Sequence, residues 1–339
     1  MGYPCDGGGN RYLSEISITN AEHSELSAIY PHLKALPVGV CSIQPNALTS
    51  PWVVCPRRLY VTPRASHLEE SLSNVIEQRI LSLVGYPFGT KVGIWREVKL
   101  KFEEKSDENA DDPLTRFFDY TFDYVFVPLH NITLSVAADK LRLPLQHTRR
   151  LLIENEFRVT EAAVEDFPFE PPTIIEVMTS STSGGNKRKR TGIAQCFEDA
   201  ILARPHRAPG INYRQVWARM ASQLIAKSEI ALAWGGKAIW IVQDNLVNYI
   251  SATTRLDIRQ FRQETLDEVN ILSFGYQDSA ISTSSTLYAG PIGARTSHES
   301  GAFLDIVRLS ASPSLGRFLF SLIKKGQPSA IIHRQEDGA

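Results

Sequence analysis

The chain has 339 residues, with 36 Lys and Arg set against 37 Asp and Glu, for a formal net charge of -1. That balance excludes a uniformly basic polyanion binder, so any nucleic-acid surface must come from local clusters of cations. Hydrophobic content of 43% and a mean hydropathy of -0.16 describe a chain able to bury a sizeable core. No apolar run approaches the ~18 residues of a membrane span. Met1–Cys5 has no signal-peptide pattern, so the expectation is a cytoplasmic protein with no membrane partner.

Residues 1–65 are rich in Pro and Gly and carry three of the four cysteines, Cys5, Cys41 and Cys55. A segment this small and irregular usually needs a cross-link or a metal, and in a reducing compartment clustered cysteines are more often ligands than disulfides. With His32 or His23 as a fourth donor, the three cysteines would make a tetrahedral set. From Ser66 to Leu83, apolar residues at 68, 72, 75, 76, 80 and 83 have helical spacing, with Ser66 and Glu69 as a capping box.

Lys91–Phe102 alternates as a strand, and a charged loop follows. Arg116–Val127 is the clearest strand. Strict alternation would put Phe118, Tyr120, Phe122, Tyr124 and Phe126 on one face. Asp119 and Asp123 would then share the other face, about 13 Å apart. Residues 134–165 carry helical patterns. The apolar run from Pro171 contains Glu176, breaks at a Ser/Thr/Gly cluster, and leads to a predicted helix opening with Lys187, Arg188, Lys189 and Arg190. Tyr213–Leu232 reads as an amphipathic helix and Ala238–Val242 as a buried strand. The order of elements predicts an α/β chain with a mixed central sheet flanked by helices.

Two carboxylates in otherwise apolar strands, Asp123 and Glu176, are costly unless they hold a cation. Facing four cations, such a pair suits phosphodiester hydrolysis: carboxylates for a divalent metal, Lys and Arg for phosphates. Where a nuclease of the PD-(D/E)xK type carries Lys, two residues after the second acid, this chain has Met178. Lys187 or Lys189 is a candidate to supply that cation from the following segment.

The segments GVC…VVCPRRL, YTFDYVF, WREVKLK and IIEVMTSSTSGGN, in their order along the chain, resemble the NotI family of restriction endonucleases. The resemblance runs from about Tyr3 to Tyr249. It implies a PD-(D/E)xK nuclease domain over 66–339, with a helical insertion near 130–170, preceded by a small metal-binding domain over 1–65. It also implies catalytic Asp123, Glu176 and Glu97, with Mg²⁺ held by Asp123 and Glu176. Asp119 remains the alternative to Asp123. For the structural Fe or Zn, Cys41 and Cys55 match the family well, Cys5 less closely, and His32 takes the fourth place. Lys187, Arg188, Lys189 and Arg190 would contact double-stranded DNA at a palindromic site read by a homodimer. Met178 keeps two other readings open, a DNA-binding protein with a disabled nuclease fold and a repair or modification-dependent nuclease.

Overall fold

The computed structural model describes residues 14–19, 21–38, 42–43, 51–53, 59, 75–105, 115–161, 163–179, 182–183, 188, 190–253, 257–267, 269–277, 280–281, 286–289 and 314–334. Cys5, Cys41 and Cys55 lie outside the described residues, as do Lys187 and Lys189.

A small N-terminal unit pairs β1 (Ser14–Ser17) antiparallel with β2 (Ala35–Val38) around α1 (Ser24–Ile29). Next come the short β3 (Ser42–Ile43) and β4 (Trp52–Val53), which pair with each other, and α2 (Val75–Val84), the described part of the predicted 66–83 helix. Two long antiparallel strands, β5 (Lys91–Lys105) and β6 (Thr115–Ile132), form the spine of the sheet. A helix pair, α3 (Leu134–Leu141) and α4 (Leu145–Glu154), separates β6 from β7 (Val164–Pro168). The chain then runs through β8 (Thr173–Met178), β9 (Thr182–Ser183), α5 (Ile193–Ile201), β10 (Gly210–Ile211), α6 (Tyr213–Ala233), β11 (Lys237–Gln243) and α7 (Asp244–Thr253). It closes with β12 (Asn270–Phe274), β13 (Tyr276–Gln277), β14 (Ala280–Ile281), β15 (Thr286–Ala289), α8 (Leu315–Lys325) and β16 (Ala330–His333).

The main sheet has the order β15-β12-β11-β8-β6-β5-β16, with β7 added beside β6. Strands β8, β11 and β12 are mutually parallel and the remaining pairings are antiparallel, so the sheet is mixed, as expected. Alternation along β11 sorts its two faces. Ile239 and Ile241 pack with α2 residues Ile76 and Ile80, whereas Trp240 and Val242 pack under α6 and α7. Trp52 joins the α6 side and Val53 and Leu59 the α2 side. The core of the large unit therefore takes in side chains from within the predicted 1–65 domain.

Two expectations are corrected. The helix after Glu176 begins at Ile193, because Gly192 is extended at its N-cap; Arg188 and Arg190 belong to the turn before it. The unbroken aromatic face of β6 does not form either. Phe118 and Phe122 share a face with Val125, Val127 and Leu129, while Tyr124 and Phe126 face the α2 side. The phase changes between Phe122 and Tyr124, and β5 changes phase opposite, between Trp95 and Val98. There the ladder pairs Arg96 with Tyr124 and Val98 with Phe122, and the residue between, Glu97, takes a left-handed φ of 50°. A non-glycine residue in that region costs on the order of 1–3 kcal/mol, and such distortions re-aim side chains beside functional sites.

Candidate active site

The break in strand phase falls on Asp123. The β6–β8 ladder pairs Phe126 with Thr173, Val125 with Ile174 and Tyr124 with Ile175, and ends there. Asp123 and Glu176, which would form the next pair, sit in the fork where the strands part. Asp123 Oδ2 accepts the Val177 amide at 2.9 Å, and Glu176 Oε1 faces the Asp123 amide at 3.4 Å. Each carboxylate thus fixes the other strand's backbone. Asp123 is half-buried; Glu176 is fully buried beneath α6.

The sequence reading missed the third member of this site, Lys227. Its Nζ lies 2.6 Å from Glu176 Oε2, donates to the Thr121 carbonyl at 2.8 Å, and stands 5.7 Å from the Phe122 ring centroid. The Lys227 and Glu176 side chains are 4% and 2% exposed. A signal for it was present in the sequence. The buried stripe of α6 runs Val216, Met220, Leu224, Lys227, Ala231, Trp234, so a lysine occupies a core position of an amphipathic helix. The Gly235–Gly236 turn brings α6 back onto β11, whose Trp240 is in register with Glu176. A Cβ at Gly236 would lie 2.0 Å from the Pro172 carbonyl, so only glycine allows this close return.

Burial, and then repulsion from Asp123, push the Glu176 carboxyl up to about 8, with Lys227 pulling the other way. Two adjacent carboxylates whose repulsion one ammonium only partly relieves are a donor set suited to a hard divalent cation. Mg²⁺ is commonly held by one or two carboxylates together with water and substrate phosphate oxygens. Asp123 and Glu176 fit that requirement. Among the described residues, no three His, Cys, Asp or Glu side chains are grouped to hold a metal by themselves.

The other sequence candidates fall as follows. Glu97 stands opposite Asp123 at the strand break with an exposed side chain, and its carbonyl accepts from Lys325 Nζ at 3.2 Å. Asp119 lies 3.8 Å from Lys99 Nζ, whereas Asp123 is the aspartate whose amide faces Glu176 Oε1 and whose carboxylate accepts the Val177 amide. Met178 packs against the cluster beneath α6 and α7. Arg188 is exposed. Arg190 folds back onto α5: its guanidinium binds both oxygens of Asp199 and reaches Glu198 Oε2 at 2.8 Å. Glu198 in turn meets His23 Nδ1 at 2.8 Å, joining the N-terminal unit to α5. His32 is exposed on the turn after α1. Among the described residues, no helix is long and apolar enough to cross a membrane. Comparison with protein-family models and with curated proteins found no match to this chain.

Proposed function

We propose that this chain is a Mg²⁺-dependent endonuclease acting on double-stranded DNA, with Asp123, Glu176 and Lys227 as its catalytic groups. The buried Glu176–Lys227 pair beside Asp123, in the fork between β6 and β8, carries the reading. It supplies the ammonium that Met178 does not, from a helix instead of from the strand. Asp123 and Glu176 would hold the metal; bound there, it would lower the pKa of its water and neutralise charge on the scissile phosphate. Lys227 commits two of its three N–H donors to Glu176 and Thr121, which fixes its head and leaves one donor for the attacking water or a phosphate oxygen. Asp123, the less buried carboxylate, is the side from which solvent and phosphate approach. Glu97, opposite Asp123, is a further acidic group at the rim. In the type II restriction reading, suggested by the resemblance to the NotI family, a homodimer cuts both strands of a palindrome.

Incubation of the purified chain with mixed-sequence duplex DNA and Mg²⁺ should yield discrete fragments, abolished by Glu176→Gln, Asp123→Asn and Lys227→Met. Full cleavage by Glu176→Gln would sink the proposal. Site-specific binding without cutting in Mg²⁺ or Mn²⁺ would favour a DNA-binding protein on a disabled nuclease fold.

A further inference from the structure

The helix pair inserted between β6 and β7 has features that the carboxylate site does not explain. Thr133 caps α3, its side chain accepting the Val136 amide, and Arg142 ends the helix in the left-handed conformation, φ 54° and ψ 45°. Only Arg142, Leu143 and Pro144 separate α3 from α4. Ala137, Ala138 and Leu141 of α3 and Thr148, Leu151 and Leu152 of α4 turn inward, against a core that includes Phe318, Leu322 and Ile323 of α8. Glu156 is left-handed as well, and the chain then folds into a short hairpin. In it Thr160 donates its amide to the Ala163 carbonyl at 2.8 Å, and Val159 bridges Val164. Two short helices joined by a three-residue turn, with a hairpin beside the second, form a compact unit that presents one face of α4 outward.

That face carries Gln146, His147, Arg149 and Arg150, with Arg142 at the turn, and its one acid is Glu154 at the last helical position. Among the described residues, none of Arg142, Arg149 and Arg150 forms an ion pair, in contrast to Arg190. Three of the six large hydrophobic residues exposed among the described residues are on this helix pair: Val136, Leu145 (50% exposed) and Ile153 (54%). Leu145, Arg149 and Ile153 follow at four-residue steps, so they line one side of α4. A helix face that mixes uncompensated arginines, amide and imidazole groups with exposed aliphatic side chains matches a groove offering phosphates, base-edge acceptors and thymine methyls.

We infer that α3 and α4 form a helix-turn-helix that docks on duplex DNA, with α4 in the major groove and α3 against the backbone. The B-form major groove, about 12 Å wide, admits a helix of this diameter. The deep, narrow major groove of duplex RNA does not. Since α3 starts just past Ile132, nine residues along β6 from Asp123, the unit begins on the order of 30 Å from the carboxylate pair at ~3.3 Å per residue. That is about one turn of B-DNA. This last spacing rests on the nuclease reading; the docking of α4 does not.

The test uses the full chain in EDTA and a fluorescein-labelled duplex of about 30 base pairs, enriched from a random pool by binding to the wild type and followed by anisotropy. Arg149→Ala/Arg150→Ala should weaken binding roughly tenfold or more and reduce the salt slope by up to about 2. Both side chains are exposed, so the melting temperature should hold; Lys34→Ala, at an exposed lysine between α1 and β2, should change affinity less than about twofold. Unchanged affinity and salt slope in the double variant overturn the inference. So does failure of the wild type to retain any duplex, or equal competition by duplex RNA of the same sequence. If Ile153→Glu splits a dimer while DNA binding persists, the face belongs to a second copy and the inference fails. Binding that depends on the two arginines in a wild type that never cuts with Mg²⁺ removes the nuclease reading alone. A double variant that binds and cuts like wild type removes the helix-turn-helix alone.

Discussion

Replacing Lys227 with methionine keeps the length of the side chain while removing its charge and donors. The Glu176 carboxyl, already at about 8 with the ammonium beside it, loses an influence that holds it down and titrates higher still. A carboxyl raised above its usual value near 4.5 binds its proton more tightly folded than unfolded. Its contribution is therefore fullest below that value and is lost as pH rises towards 8; in the variant the loss continues further. At pH 6 Glu176 is protonated in both proteins, and the variant gives up mainly the hydrogen bonds to Glu176 and the Thr121 carbonyl, about 1–3 kcal/mol for each acceptor left unsatisfied. At pH 9 the variant must either ionise a buried carboxylate beside Asp123 or keep its proton against the solvent. Breaking a buried pair from one side costs about 3–5 kcal/mol. Urea unfolding at the two pH values should show a gap between the proteins that is wider at pH 9, by up to about 1.4 kcal/mol, because pH 9 lies one unit above the wild-type titration and a variant that titrates higher keeps its proton there. Cleavage should fall by roughly 10²-fold or more. A gap below about 1 kcal/mol that is the same at both pH values, with cleavage intact, would refute the pairing and the role.

Added Mg²⁺ should raise the melting temperature of metal-free protein more at pH 9 than at pH 6, where a proton on Glu176 competes with the metal; equal shifts would count against Glu176 as a ligand. Glu198→Gln should loosen the N-terminal unit. Burial works against the Glu198 charge, but hydrogen bonds from His23 and Arg190 hold the carboxyl below its usual range, and Arg190 does the same for Asp199. That stability is present above the usual carboxylate values and is lost as pH falls through the lowered ones. Loss of charge-assisted bonds at Glu198, about 1.5–3 kcal/mol, should speed amide exchange in residues 14–38 roughly tenfold or more without touching β8; uniform exchange across the chain would contradict a local clasp. Gly236→Ala should destabilise by roughly 1–3 kcal/mol and lower cleavage, because the Pro172 carbonyl must shift and with it the seating of α6 over β8. A wild-type melting curve would show that the close return is not a constraint.

The elements that the sequence showed well were those whose apolar pattern is long and whose ends are marked. The second long strand, the amphipathic helix from Tyr213 and the buried AIWIV run appear within a few residues of their expected limits. Periodicity carries no information about where a strand loses its phase. Phe122 and Val125 share one face where Glu97, opposite on the neighbouring strand, is left-handed, a long-range pairing that local alternation cannot express. The basic run illustrates a different limit. Four consecutive cations look like a solvated or DNA-facing cluster, yet Arg190 is tied down by two buried acids on the next helix. Arg149 and Arg150 in α4 form no ion pair among the described residues and stay exposed, although the sequence offered only a helical pattern there.

Lys227 shows why a motif written as spacing can miss the chemistry it stands for. Two residues after Glu176, the side chain of a strand returns to the same face, and that is the geometric reason for expecting lysine at position 178. Met178 does occupy that face, but it is packed into the apolar cluster under α6 and α7. The requirement is an ammonium within hydrogen-bond reach of Glu176, whichever backbone it hangs from. A helix covering the face meets it if a lysine falls on its buried stripe. Such a lysine cannot remain there unpaired, since an isolated buried charge is far costlier than one bonded to the Glu176 carboxyl and the Thr121 carbonyl. Burial of Lys227 and burial of Glu176 therefore require each other. The combination of a charged residue in the apolar stripe of a helix and an acid in an apolar strand is the pattern that a sequence search for a displaced lysine should use.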